Sequence, residues 1–211
     1  INKNFFQNND GVDISVRWVS NRVIVTDNIV IGSNIYPGDG GEGVPATSNA
    51  IEIFNQNITG SANFDCAENI IANNVIKGKI NAVKLDGPFE TLIANNIMGN
   101  QQDSSIVAVQ TGTYAPQGMT IAHNHITNEN AAGTGPSINV IGFRLNISNN
   151  VMLSSAPTQI YVGTDDDNAV INIADNTIKF TGAQDSGNGI ELRDAPSTVV
   201  ANNTIVYPRV G

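Results

Sequence analysis

The sequence predicts an all-β solenoid of about eight three-strand coils, and three observations carry that prediction. An asparagine recurs in the frame aliphatic-x-x-Asn-x-apolar, a short alternating strand recurs between those frames, and the repeat is too short for helices. The framed asparagines are Asn4, Asn28, Asn74, Asn96, Asn124, Asn150, Asn176 and Asn203, with successive spacings of 24, 46, 22, 28, 26, 26 and 27 residues. A unit of this length cannot bury its own apolar face, so it must stack on its neighbours.

The frames run from Ile1-Asn2-Lys3-Asn4-Phe5-Phe6 through copies such as Ile93-Ala94-Asn95-Asn96-Ile97-Met98 to Val200-Ala201-Asn202-Asn203-Thr204-Ile205. Between them lie Val12-Asp13-Ile14, Ile51-Glu52-Ile53, Val83-Lys84-Leu85, Val107-Ala108-Val109, Ile138-Asn139-Val140, Ile160-Tyr161-Val162 and Ile190-Glu191-Leu192. Apolar residues at alternate positions around a variable middle residue describe a strand with one face in the core and one in solvent. Each coil therefore reads as this strand, a variable turn, a strand ending on the aliphatic-x pair, a tight Asn turn, a third strand and a long variable connection. Asparagine suits the tight turn because it tolerates the left-handed backbone region and because its amide both donates and accepts. Amides repeated at the ~4.8 Å strand spacing form an internal Asn ladder.

The three-strand coil with an Asn ladder at a tight turn resembles the right-handed parallel β-helix of the pectate-lyase-like superfamily. That superfamily includes pectin-degrading enzymes, alginate lyases and epimerases, and bacteriophage tailspikes, and the resemblance spans essentially the whole chain. It implies an extracellular protein, secreted, at a cell surface or on a virion, that binds or degrades polysaccharide; the alternative is a non-catalytic receptor-binding adhesin or a structural shaft segment of a fibre or virion. The tailspike likeness implies a homotrimer or a larger assembly. The superfamily's catalytic patterns do not carry over. The Asn-Thr-Asp, Asp-Asp, Gly-His-Gly and Arg-Ile-Lys set is represented only by Asp165-Asp166-Asp167, and Arg-x-Pro-x-x-Arg does not occur.

Composition bounds the function classes. With 211 residues in one continuous repeat, residues 1–211 read as a single β-helix domain, and the frames at both ends suggest a piece of a longer protein or ends covered by other subunits. A net charge of −9 disfavours nucleic acid and anionic membranes as partners, and no apolar run reaches the ~18 residues of a membrane span. Cys66 is the one cysteine, so no intrachain disulfide forms. No cofactor is expected.

The candidate site comes from the alternating strands. Aligned coil on coil they give an outward column of Asp13, Glu52, Lys84, Ala108, Asn139, Tyr161 and Glu191, and a second of Ser15, Phe54, Asp86, Gln110, Ile141, Gly163 and Arg193. Glu52 and Asp86 fall one coil and two residues apart. That fits the ~6.5–9.5 Å between the carboxyls of an inverting glycoside hydrolase and makes them the candidate acid and base. Asp13, Lys84, Gln110, Tyr161, Glu191 and Arg193 are the candidate saccharide-binding residues. The bland alternative is a solvated face with a Glu52–Lys84 ion pair. Insertions at Ser33–Asn49 and Asn55–Glu68, the only large ones, are expected to wall a groove over this face with Glu52 and Asp86 exposed in it. Trp18, Tyr36, Tyr114 and Tyr161 are available to stack on sugar rings. His123 and His125 read as exposed turn residues, and Asp165-Asp166-Asp167-Asn168 as a solvated acidic turn; no metal is expected.

Overall fold

The computed structural model describes residues 1–9, 11–17, 22–32, 49–54, 67–87, 90–109, 117–128, 135–164, 169–181 and 187–207. Among them are 22 strands and no helix. The chain cycles through three parallel sheets in strict order. The first coil contributes Phe5–Gln7 to a first sheet of eight strands, Ile14–Arg17 to a second of seven, and Ile24–Thr26 to a third of seven. Seven full cycles follow one another, and Thr204–Val206 begins an eighth in the first sheet. This is the parallel β-helix expected from the repeat.

The period-two pattern sorts side chains between the lumen and solvent. In the second sheet Ile14, Ile51, Val83, Ile106, Ile138 and Ile160 stack in register and are all buried. Val30, Ile76, Met98, Ile126, Met152 and Ile178 do the same in the first sheet. Each such side chain contributes about 1.5–3 kcal/mol when taken from water. Because the strands are parallel and only three to six residues long, that burial depends on the coils above and below, not on local contacts.

At the corner between the third and first sheets the Asn ladder is continuous. Asn28 Oδ1 accepts both the main-chain N–H and the side-chain Nδ2 of Asn4, each at 3.0 Å. The same pair of hydrogen bonds links Asn28 to Asn74, Asn74 to Asn96, Asn96 to Asn124, Asn124 to Asn150, Asn150 to Asn176 and Asn176 to Asn203. Amides of the ladder also close their own turns, as where Asn124 Nδ2 donates to Ala122 O at 3.1 Å and to Ile93 O of the coil before at 2.9 Å. Asn28, Asn74, Asn96, Asn124, Asn150 and Asn176 are buried with every one of these groups paired.

The backbone corrects one detail of the sequence reading. The left-handed residue is not the ladder asparagine but the one before it: Lys3, Asp27, Asn73, Asn95, His123, Asn149, Asp175 and Asn202 have φ between 54° and 57°. The frequent Asn-Asn pair thus divides two tasks. The first residue takes the backbone conformation that Asn and Asp tolerate best, and the second turns its amide inward.

The register also corrects the alignment in two coils. Glu52 pairs with Ser15, not Asp13, and Lys84 pairs with Val107, not Ala108. Val12, Ile14 and Val16 alternate equally well in two frames, so periodicity did not fix the register of the first coil, and Ile106-Val107-Ala108-Val109 is apolar throughout, so it did not fix which residues face inward in the fourth. Ala108 is in the core, and Asp13 lies in the corner before its strand.

Candidate functional site

The outward face of the second sheet carries the candidate residues. Its first column reads Ser15, Glu52, Lys84, Val107, Asn139, Tyr161, Glu191, and its second contains Phe54, Asp86, Val109, Gly163 and Arg193. Glu52 pairs with Lys84 and Phe54 with Asp86, so the two carboxylates stand one coil and two residues apart as expected, ~8 Å between Cα atoms. Their surroundings differ from the expectation. Glu52 and Asp86 are each only 7% exposed, and Glu52 Oε1 accepts a hydrogen bond from Asn49 Nδ2.

Glu52 is therefore held by an amide instead of a lysine. Lys84 Nζ lies 5.8 Å from the centroid of the Phe54 ring, a cation–π contact, and forms none of the ion pairs found among the described residues. Asn49 is itself fixed: its Oδ1 accepts from Asn81 Nδ2 at 2.8 Å, and Asn81 Oδ1 accepts from Ser104 N–H at 3.1 Å. A buried amide chain thus climbs three coils beside the sheet and ends on Glu52.

At the other end of the face the same geometry recurs in the open. Glu191 Oε2 accepts from Asn188 Nδ2 at 3.0 Å and from Thr158 Oγ1 at 3.2 Å. Tyr161 leans across the columns, its hydroxyl 3.4 Å from where a Cβ would stand on Gly163, and reaches Arg193 of the next coil. The hydrogen bond with Tyr161, reinforced by Asp194 with Oδ2 3.4 Å from Arg193 Nε, raises the pKa of the guanidinium above its ordinary value. Arg193 and Asp194 are largely exposed, so this cluster is accessible to a ligand.

Asp13 does not belong to this face. Its side chain is 1% exposed, and its Oδ2 forms an ion pair at 2.9 Å with Lys79 Nζ without hydrogen-bond alignment, while Oδ1 accepts from Asn9 Nδ2 at 2.7 Å. Lys79 also donates to the carbonyls of Asn9 at 2.8 Å and Gly11 at 3.3 Å. It crosses from the third coil to the first, and its stem passes Gly32, where any Cβ would lie 1.8 Å from Gly78 O. Asp13 is removed from the saccharide-binding set on this ground.

Gln110, Trp18, Tyr36, Tyr114, the insertions at residues 33–48 and 55–66, and the acidic run at 165–168 lie outside the described residues. The predicted groove walls are among them. His123 and His125 are exposed, and no group of three or more potential metal ligands occurs among the described residues.

Sequence reasoning missed Asn49, Asn81, Asn188 and Lys79. The signal for the first three was present as Asn49-Ala50-Ile51-Glu52, Asn81-Ala82-Val83-Lys84 and Asn188-Gly189-Ile190-Glu191, one motif in three coils. In two of them the asparagine hydrogen-bonds the acid three residues on. In comparison with known proteins, no family model, no curated protein and no solved structure matches the chain.

Proposed function

We propose that the chain is an extracellular polysaccharide-binding β-helix of the pectate-lyase-like kind, with saccharide lying along the outward face of the second sheet. One observation carries this reading. Ionisable and aromatic side chains cluster on this face, from Glu52, Lys84 and Asp86 to Tyr161, Glu191 and Arg193, whereas the two outward columns of the third sheet beside the ladder, Ile24, Ile70, Leu92, Thr120, Asn146, Asn172, Val199 and Thr26, Ala72, Ala94, Ala122, Ser148, Ala174, Ala201, hold neither kind. Sugar recognition needs this mixture: an aromatic face for the ring, with acceptors and an Arg fork for hydroxyls and acidic groups. Tyr161 and Arg193 are the accessible anchors and Glu191, oriented by Asn188 and Thr158, is the acceptor beside them.

Binding is favoured over cleavage by the state of the carboxylate pair. Glu52 is engaged by Asn49, and Glu52 and Asp86 are each more than nine-tenths buried, which suits residues that shape the face better than residues that exchange protons with a substrate. A depolymerase would use Glu52 as acid and Asp86 as base. The unbroken ladder favours a second reading, a structural shaft in a fibre or virion, since nothing in it serves a ligand.

Affinity electrophoresis against acidic and neutral bacterial polysaccharides, with reducing ends measured in parallel, tests the reading. Tyr161→Ala and Arg193→Ala should each weaken retardation by about tenfold or more. The Glu52→Gln, Asp86→Asn double variant should bind as the parent does. If the parent generates reducing ends and the double variant does not, the chain cleaves. If the parent binds no polysaccharide, or the Tyr161 and Arg193 variants bind unchanged, the glycan reading fails and the shaft reading stands.

A further inference from the structure

The outward face of the first sheet takes no part in the saccharide reading, and its chemistry differs from the rest of the chain. Its central column runs in register through Phe5, Ile29, Val75, Ile97, His125, Val151, Thr177 and Thr204. Phe5, Ile29, Ile97 and Val151 are 62%, 42%, 50% and 37% exposed. The sequence contains 19 Asp and Glu residues, yet the two outward columns of this sheet hold no carboxylate. Their lysines, Lys77 and Lys179, are both in the outer column. On the opposite flank, the left-handed corner column carries Asp27 and Asp175, besides Lys3 one rung from Asp27 and His123. All of these are exposed, and none enters an ion pair among the described residues.

We infer that this face docks the same face of a second copy of the chain, side by side and parallel. A two-fold axis along the solenoid, over the central column, sets the outer column of each copy against the corner column of the other at the same level. Lys179 then meets Asp175 of the second copy, and Lys77 meets Asn73 and lies one rung from Asp27. The central column meets itself, with Phe5, Ile29, Val75 and Ile97 apolar on apolar and Thr177 and Thr204 hydroxyl on hydroxyl.

An antiparallel pair loses both matches. It sets Phe5 against Thr204, Ile29 against Thr177, and Lys179 against Ile31. A homotrimer of the kind the tailspike resemblance implies needs two different faces per copy, whereas this face complements itself.

The size of the patch sets the strength. Eight rungs at ~4.8 Å and three columns across ~13 Å give about 450 Å² per copy, or about 900 Å² in all. That is below the ~1,200–2,000 Å² of a standard stable interface, so the pair forms weakly and depends on concentration. A central column apolar at Phe5, Ile29, Val75, Ile97 and Val151, with no carboxylate in it or in the outer column, is nevertheless what an interface core requires and what a lone solvated face ordinarily avoids.

Sedimentation equilibrium of residues 1–211 from micromolar to several hundred micromolar reads the pairing directly. The mass should rise from one chain to two. Ile29→Asp with Ile97→Asp, both on exposed positions, should stay at one chain throughout with an unchanged circular dichroism spectrum and melting temperature. Lys179→Asp should pair several-fold more weakly, and adding Asp175→Lys should restore pairing. In a Cys66→Ser background, Thr177→Cys should cross-link to itself through a short bis-maleimide, because the parallel arrangement brings the two copies of that position face to face. A parent that remains a single chain, a limiting mass of three chains, or pairing that survives the two aspartates overturns the proposal. Pairing without the Thr177 cross-link overturns the parallel orientation.

Discussion

At the corner between the third and first sheets every coil uses the same two residues, a left-handed residue and an inward asparagine, and each asparagine is bonded to the next. At the corner between the first and second sheets each coil improvises. The first and third coils meet through the Asp13–Lys79 pair, the second and third through Asn49 and Asn81, and the fourth and fifth through Gln101, Ser105 and Asn128, whose Nδ2 donates to Ser105 Oγ at 3.0 Å. The physical demand is the same at both corners: backbone and side-chain polar groups enter the lumen and must be paired there. A corner of constant length meets it with one periodic residue, whereas a corner that accepts insertions must be closed by whatever side chain reaches. The periodic corner therefore spreads its stability over many equal bonds, and the irregular corner concentrates it in a few buried groups.

The largest effect should come from the irregular corner. Lys79→Met preserves most of the apolar stem but leaves the Asp13 carboxylate, 1% exposed, with Asn9 Nδ2 as its remaining partner on Oδ1. An uncompensated buried charge costs about 3–5 kcal/mol. Urea denaturation should show a correspondingly lower midpoint, and Lys79→Met combined with Asp13→Asn should recover part of the loss because the orphaned charge is gone. A midpoint within experimental error of the parent would show that this pair does not hold the first coil to the third.

The ladder should respond less to a single change. Asn124→Leu removes the acceptor for the N–H and Nδ2 of Asn96 and the donors to Asn150 Oδ1, Ile93 O and Ala122 O. Unpaired buried groups of this kind cost about 1–3 kcal/mol. The coils on either side keep their own bonds, so the loss should remain local and the denaturant slope should stay close to that of the parent. Equal destabilisation by Asn124→Leu and Lys79→Met would erase the contrast between the corners.

The same contrast explains what the sequence made legible. The coil count, the three strands per coil and the ladder positions follow from spacings that repeat, and a repeating spacing survives any ambiguity in a single coil. Side-chain direction in the second sheet was readable where a charged residue sits between two branched aliphatics, as at Ile51-Glu52-Ile53. It failed at Ala108, where apolar residues occupy successive positions, while at Asp13 it was the register that failed, because Val12, Ile14 and Val16 alternate through two frames two residues apart. The partnership of Asp13 with Lys79 joins the first coil to the third across 66 residues of sequence, and no local pattern encodes such a contact. The amide beside Glu52 was legible in principle, since Asn-Ala/Gly-Ile-Glu occurs twice, but only once the asparagine is understood as part of the strand's approach and not of the insertion before it.

The smallest effect separates the two residues of the periodic corner. Asn95 has φ of 55° and is exposed, so its side chain adds little burial and its backbone conformation is the main reason for its identity. Asn95→Ala places a Cβ in the left-handed region without the tolerance asparagine has there, a penalty of about 1 kcal/mol. Asn95→Gly removes that penalty but gives the unfolded chain more freedom, an opposing term of about 0.5–1 kcal/mol, so it should sit near the parent or slightly below it. The order of urea midpoints should be parent, then glycine, then alanine, with all three well above Asn124→Leu. If alanine equalled or exceeded glycine, the left-handed conformation would not be what selects the first asparagine of the pair. Position 95 would then be constrained by its side chain, and the division of tasks within each Asn-Asn pair would have to be abandoned.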